Sequence, residues 1–284
     1  MLCIMKSIII ATDFSKVAYA AACYAAHLSA SLLVDTLIIY HSYDNELYVT
    51  TDIPIPNRQQ LQTQREKSLI ALEELRVALK KIAPKSISIK SEANDQTLVS
   101  GIETMIAENQ TELIVIGTTG KSNLEQVLMG SNALTVAKEI STPVLLVPAT
   151  HTFSPPKQAV LACDLKHTED TLPLEHIRHF VSTFSLKLHI LNIQPTASEP
   201  IADTIPEQYK LHELLDDLNP TYNYIDHEDT ASAIIHFANE HDIDLVISVR
   251  KSYGFFRNLF HKSITKKLAF KTTIPLLLLG KKIK

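Results

Sequence analysis

One pattern occurs twice in this chain and restricts its fold more than any other feature. Leu113-Ile114-Val115-Ile116 and Thr142-Pro143-Val144-Leu145-Leu146-Val147 return as Leu245-Val246-Ile247-Ser248 and Ile274-Pro275-Leu276-Leu277-Leu278-Leu279, both at an offset of 132 residues with no gap between them. Near the start of each copy, Ile9-Ile10-Ala11-Thr12-Asp13 matches Val160-Leu161-Ala162-Cys163-Asp164 at an offset of 151, so the second copy is nineteen residues shorter in its middle. Self-similarity on this scale means two copies of one supersecondary plan. The 284 residues suffice for two cores of ordinary size. The expected domains are 1–150 and 151–284, joined near His151 to Pro156.

Within the first copy, strand-like and helix-like segments alternate. Strands are expected at 6–12, 32–41, 86–92, 112–116 and 143–147, and helices at 17–29, 58–82, 98–109 and 132–139. Short, continuously apolar strands separated by helices imply right-handed crossovers and a parallel sheet covered on both faces. The fold class is therefore α/β: two tandem copies of a five-stranded, parallel, doubly wound, Rossmann-like sheet.

Composition narrows the function classes. Three widely spaced cysteines build neither a disulfide framework nor a Cys-x-x-Cys site, which favours a reducing, cytoplasmic setting. The apolar stretch at 1–10 runs into Ala-Thr-Asp-Phe-Ser without the cleavage region of a signal peptide, and no apolar run approaches a membrane span. A net charge of -4 gives no general reason to expect nucleic-acid binding.

Glycine is scarce, with only 6 in the chain, and three of these fall within residues 117–130. Gly117-Thr118-Thr119-Gly120 follows the fourth strand, and nine residues later come Gly130-Ser131-Asn132 before a helix. The Gly120-Lys121-Ser122 triplet is not a phosphate loop, because that motif needs a glycine where Val115 stands. A glycine-bearing loop at the carboxyl end of a parallel strand, followed by a helix N-terminus, suits an anion. Gly117 and Gly120 would allow close backbone approach and positive φ, while Ser131 and Asn132 would cap the helix and donate to a phosphate. A plain turn with an N-cap is the competing reading. Asp13, ending the first strand at the same edge, has two readings as well: an N-cap for the following helix, or a carboxylate facing the nucleoside end of a ligand.

These residues together resemble the universal stress protein family in its tandem, two-domain form, over essentially the whole chain. The features are Asp13 after strand one, Gly117-x-x-Gly120 with Gly130-Ser131 nine residues on, and the Ser141-to-Pro148 ending. The resemblance implies a sheet of the adenine nucleotide alpha hydrolase-like type that binds ATP, or ADP or AMP, with or without Mg2+. It would place Thr12 and Asp13 at the adenosine, Ser42 at the adenine through its backbone, and Gly117, Gly120, Gly130, Ser131 and Asn132 at ribose and phosphates. It also implies pairing of last strands, here an intramolecular pseudo-dimer through 144–147 and 276–279, with a homodimer and a further protein partner as additional associations.

At the offset of 132, Gly117, Gly120 and Gly130 become Val249, Ser252 and Lys262, so one nucleotide per chain is expected, in the first domain. Residues 245–284 hold ten bases, no acid and interleaved aromatics, read either as a solvated basic face or as a surface for an anionic partner. His176 and His179 lack the companions of a metal site and are expected on a helix surface, and Cys163 is expected to be a small buried residue. No residue stands out as a base for an attacking water, so the expected role is ATP-binding stress signalling without catalysis as its main function. Slow hydrolysis, a nucleotide hydrolase or adenylyl-transferring enzyme, and a nucleotide-free scaffold are the alternatives.

Overall fold

The computed structural model describes residues 6–43, 58–119, 131–194, 204–250 and 264–280. Two compact units share the chain, which passes from the first to the second between Phe153 and Ser154.

In the first unit the elements run β1 (Lys6–Ala11), α1 (Lys16–Leu32), β2 (Thr36–Ser42), α2 (Arg58–Leu79), β3 (Ser88–Asn94), α3 (Leu98–Glu108), β4 (Gln110–Thr118), α4 (Ser131–Glu139) and β5 (Val144–Pro148). All strand pairs are parallel, in the order β3-β2-β1-β4-β5. Ile8, Ile9, Ile10, Leu37, Ile39, Leu113, Ile114 and Val115 have no exposed surface, as strands covered on both faces require. The chain steps outward from β1 to β3 on one side and from β4 to β5 on the other. The β1/β4 junction is therefore the topological switch point, where an open sheet leaves a crevice at its carboxyl edge.

The second unit repeats the plan with β6 (Gln158–Ala162), α5 (Thr168–Thr171), α6 (Leu174–Phe184), β7 (Lys187–Gln194), α7 (Thr204–Leu215), β8 (Thr221–Asp226), α8 (Thr230–Glu240), β9 (Leu245–Arg250), α9 (Ile264–Lys271) and β10 (Leu276–Gly280). Its strand order, β10-β9-β6-β7-β8, is that of the first unit. The shortening falls where the repeat offsets put it: α2 has 22 residues and α7 only 12. The first helix is split in this copy, because Pro173 has no backbone donor and interrupts the run between α5 and α6.

Several boundaries differ from the periodicity reading. Helix α1 continues through Leu28 to Leu32, both buried, and the second strand starts at Thr36 rather than residue 32. Asp35 makes the turn between them, its carboxylate accepting from the Lys6 N–H at 3.1 Å. Strand β4 extends to Thr118, which puts Gly117 inside the strand and not in the loop.

Glycine scarcity is met in the turns by other residues. Among the described residues, Phe14, Leu33, Leu165, His167, Ser185, Asn219 and Asp242 all have positive φ, so the chain makes its left-handed turns with ordinary side chains. Gly101 in α3 and Gly117 in β4 serve close packing. A Cβ on Gly101 would fall 1.6 Å from the Tyr40 hydroxyl, which donates at 2.7 Å to Asn94.

Candidate functional site

The carboxyl end of β1 closes into a tight turn at the switch point. Thr12 donates its N–H to the Tyr40 carbonyl, continuing the ladder one residue past β1. Phe14 turns the chain with φ 62, its N–H donating to Thr12 Oγ1 at 3.0 Å. Ser15, not Asp13, caps α1 by accepting from Ala18 N–H at 3.1 Å. The Asp13 carboxylate accepts from Ser15 N–H at 3.0 Å and is otherwise exposed at the edge of the sheet. Under this turn lies His41, only 3% exposed, with Nδ1 2.7 Å from the Thr12 carbonyl oxygen and its ring 4.5 Å from that of Phe14. Next along β2, Ser42 is half-buried and donates its hydroxyl to the Gln96 carbonyl at 2.6 Å.

Across the switch point, the last paired residues of β1 and β4 are Ala11 and Ile116, immediately before Thr12 and Gly117. Gly117 is needed for contact, not for φ. A Cβ there would lie 2.6 Å from the carbonyl oxygen of Val17, in the first turn of α1. Thr118 is 4% exposed, and its hydroxyl is buried without a hydrogen-bond partner. A buried hydroxyl in that state costs about 1–3 kcal/mol. Ser131 and Asn132 are the first two residues of α4, and Asn132 is exposed. Neither α1 nor α4 has an acid in its first turn; at α1 the Asp13 carboxylate sits just ahead of the helix, on the Ser15 N–H. Gly120 and Gly130 lie outside the described residues.

The corresponding edge of the second unit keeps half of this arrangement. Cys163 donates its N–H to the Leu191 carbonyl as Thr12 does to Tyr40, Leu165 repeats the positive φ of Phe14 at 51, and Asp164 repeats the Asp13 turn through Lys166 N–H. Asn192 Nδ2 donates to the Cys163 carbonyl at 2.9 Å, in the place of His41. The other half is replaced. Val249, 7% exposed, stands for Gly117, and Arg250 stands for Thr118, with burial pushing its guanidinium down to about 10. The aromatic ring is gone too: Phe14 is 36% exposed, whereas Leu165 is buried.

Comparison with known proteins settles the lineage. The sequence profile of the universal stress protein family matches residues 5–148, half of the chain. This chain belongs to the universal stress protein family. A universal stress protein of Methanocaldococcus jannaschii is 30% identical over 146 residues, covering 50% of this chain and 81% of that protein. Among solved structures, a universal stress protein from Archaeoglobus fulgidus DSM 4304 aligns over 96% of this chain and 98% of its own, with TM-score 0.72 at 16% identity. One from Pseudomonas aeruginosa UCBPP-PA14, described as putative, aligns over 98% and 94% with TM-score 0.61 at 15% identity. The universal stress fold thus extends over both units.

The remaining candidates in this universal stress protein take structural places. Of the basic segment, Arg250 is half-buried and Lys267 pairs with Asp229 at 2.6 Å. That Lys267 contact, with the Ser232 N–H, holds the Asp229 carboxyl well below the usual carboxylate range. Residues 251–263 and 281–284 lie outside the described residues. His176 and His179 do sit on a helix, α6, but half-buried, with the His179 ring 5.3 Å from Phe180. Cys163 is half-buried at the strand end and not enclosed as expected. Among the described residues no group of three or more His, Cys, Asp or Glu is placed to hold a metal ion, and no helix is long and apolar enough to cross a membrane.

Sequence reading missed three residues of this site: Phe14, His41 and Thr118. A signal for one was available. At the offset of 151, His41 aligns with Asn192, so a polar residue ends the same apolar run in both copies.

Proposed function

We propose that the first unit binds one adenine nucleotide at the carboxyl edge of β1 and β4, as ATP, ADP or AMP, and that the chain acts as an ATP-binding stress-signalling protein and not chiefly as a catalyst. One observation carries this reading: a solvent-facing carboxylate, Asp13, and a buried, unpartnered hydroxyl, Thr118, each follow by two residues the last pair, Ala11 and Ile116, at the switch point of the sheet. A carboxylate accepts from ribose or base and repels phosphate, so Asp13 suits the nucleoside end. The Thr118 hydroxyl and the N-terminus of α4, which has no acid in its first turn, suit the phosphate end. Gly117, Gly120, Gly130, Ser131 and Asn132 complete that end in this reading, with Thr12 and Ser42 beside the nucleoside. The residues present fit such a ligand in the first unit. In the second, Val249 and Arg250 fill the equivalent positions, which supports one nucleotide per chain.

The test is to extract and identify any nucleotide that co-purifies, then titrate ATP, ADP and AMP calorimetrically into wild type, Asp13→Ala and Gly130→Lys, the last copying the second unit's own residue. One equivalent per chain, weakened in both variants, is the expected result. Equal affinity in the variants, or two equivalents, overturns the assignment. Rapid turnover of ATP by wild type would replace a binding role with an enzymatic one.

A further inference from the structure

The two units fasten the turn at the end of their first strand in the same way but with different chemistry. In the first, His41 Nδ1 lies 2.7 Å from the Thr12 carbonyl oxygen; in the second, Asn192 Nδ2 lies 2.9 Å from the Cys163 carbonyl oxygen. The residues correspond at the repeat offset, and the two nitrogens occupy the same δ position of their side chains. A carbonyl oxygen accepts only, so the nitrogen facing it must carry a proton. For Asn192 that fixes the amide orientation, and for His41 it fixes Nδ1–H as the neutral tautomer. Histidine and asparagine have little in common apart from a donor at this point. Retention of that donor through divergence of the copies, while the glycines at positions 117, 120 and 130 were replaced, marks the contact as the requirement of the turn.

We infer that His41 is the positioning residue of the first unit's nucleotide site: it holds the Thr12 carbonyl and so sets the turn that presents Asp13. The turn needs such a hold, because Phe14 sits at φ 62, a conformation unfavourable for a bulky L-residue. Two further bonds close it, Phe14 N–H to Thr12 Oγ1 and Ser15 N–H to Asp13 Oδ1, each 3.0 Å. The Phe14 ring lies over His41 itself, so the imidazole supports the turn from beneath as well as through its donor. His41 is 3% exposed, which keeps it out of direct reach of solvent. The inference rests on the nucleotide reading for its ligand, and on the hydrogen-bond geometry alone for the clamp.

The experiment compares wild type, His41→Asn and His41→Leu by amide exchange at Phe14 and Ser15 without ligand, and by ATP and adenosine titration. Loss of the donor in His41→Leu is expected to raise exchange at both amides and weaken ATP and adenosine alike by about tenfold, the factor for one buried hydrogen bond. His41→Asn, which copies the second unit, is expected to stay within about threefold of wild type, since the donor is kept. Nitrogen-15 spectra of histidine-labelled wild type give a readout that needs no variant and is expected to show Nδ1 protonated. A bare Nδ1, or wild-type exchange in a folded His41→Leu, overturns the clamp. Unchanged nucleotide affinity in His41→Leu, where wild type binds, overturns the positioning role. A wild type that binds no nucleotide, with exchange still raised in His41→Leu, supports the clamp and overturns the nucleotide reading instead.

Discussion

Gly117 and Val17 approach so closely that a single added carbon would collide: a Cβ at Gly117 would lie 2.6 Å from the Val17 carbonyl oxygen and 2.9 Å from the Val17 side chain. The obstacle is helix backbone, which yields only if the first turn of α1 moves. Gly117→Ala should therefore destabilise the first unit by about 1–3 kcal/mol, the range for overpacking. Urea unfolding of wild type and variant checks this, and an unchanged midpoint would show that α1 shifts freely. A loss of nucleotide binding in this variant would mix a site effect with a fold effect, so Asp13 and Thr118 are cleaner probes of the ligand.

Thr118 separates those effects with opposite signs. Its hydroxyl is buried and unpartnered, so replacing it with the isosteric, apolar valine removes a desolvated polar group. Thr118→Val should stabilise the unliganded protein by about 1 kcal/mol and weaken nucleotide binding. Thermal unfolding without ligand, paired with ATP titration, tests both halves. A variant that is more stable and binds equally well would leave the hydroxyl without a ligand role.

The central strands of this protein were legible because both of their faces are covered, which turns a strand into an unbroken apolar run such as Ile8-Ile9-Ile10 or Val144-Leu145-Leu146-Val147. Copy number and order followed from the fixed offsets between such runs. The residues that shape the site edge were harder to read, for three physical reasons. The positive φ of Phe14 has no compositional mark, because sequence signals for that conformation depend on glycine or asparagine. The need for glycine at 117 lies in the helix opposite it, since the contact is with Val17, a hundred residues away in the chain. The His41 clamp is a contact with a backbone carbonyl, and a backbone acceptor is available at every residue. Asp13 was ambiguous between cap and ligand contact because a carboxylate two residues from an N–H closes a local turn whatever else it does.

A test of the turn economy in this glycine-poor chain is Leu33. It terminates α1 at φ 51 and ψ 43 with its side chain 82% exposed, so it carries the steric penalty of the left-handed region without burying apolar surface. That penalty is roughly 1–2 kcal/mol, partly offset by the greater backbone freedom glycine has when unfolded. Leu33→Gly should raise stability by about 0.5–1 kcal/mol and leave nucleotide affinity unchanged. Differential scanning calorimetry decides it. A lowered transition would mean that the exposed leucine makes a contact the isolated chain does not reveal.

His189 gives the protein a calculable response to acid. It is 4% exposed on β7, with Nε2 3.4 Å from Gln158 Oε1 and its ring 5.9 Å from Phe237 and 5.6 Å from His241. Burial, reinforced by the Lys187 charge and by His241, holds it below its ordinary value of 6.5. The unfolded chain therefore binds more protons at this residue than the folded one over the interval beneath 6.5, and stability must rise with pH there. The stabilisation is full above the unfolded value and is lost progressively as pH falls from 6.5 toward the depressed folded value. The repeat supplies a matched variant, because Ile38 occupies the equivalent position in β2 and is itself buried. His189→Ile should flatten the decline in urea midpoint below about pH 6.5, while changing little above that value. Equal slopes in wild type and variant would show that another group, not His189, sets the acid response of the second unit.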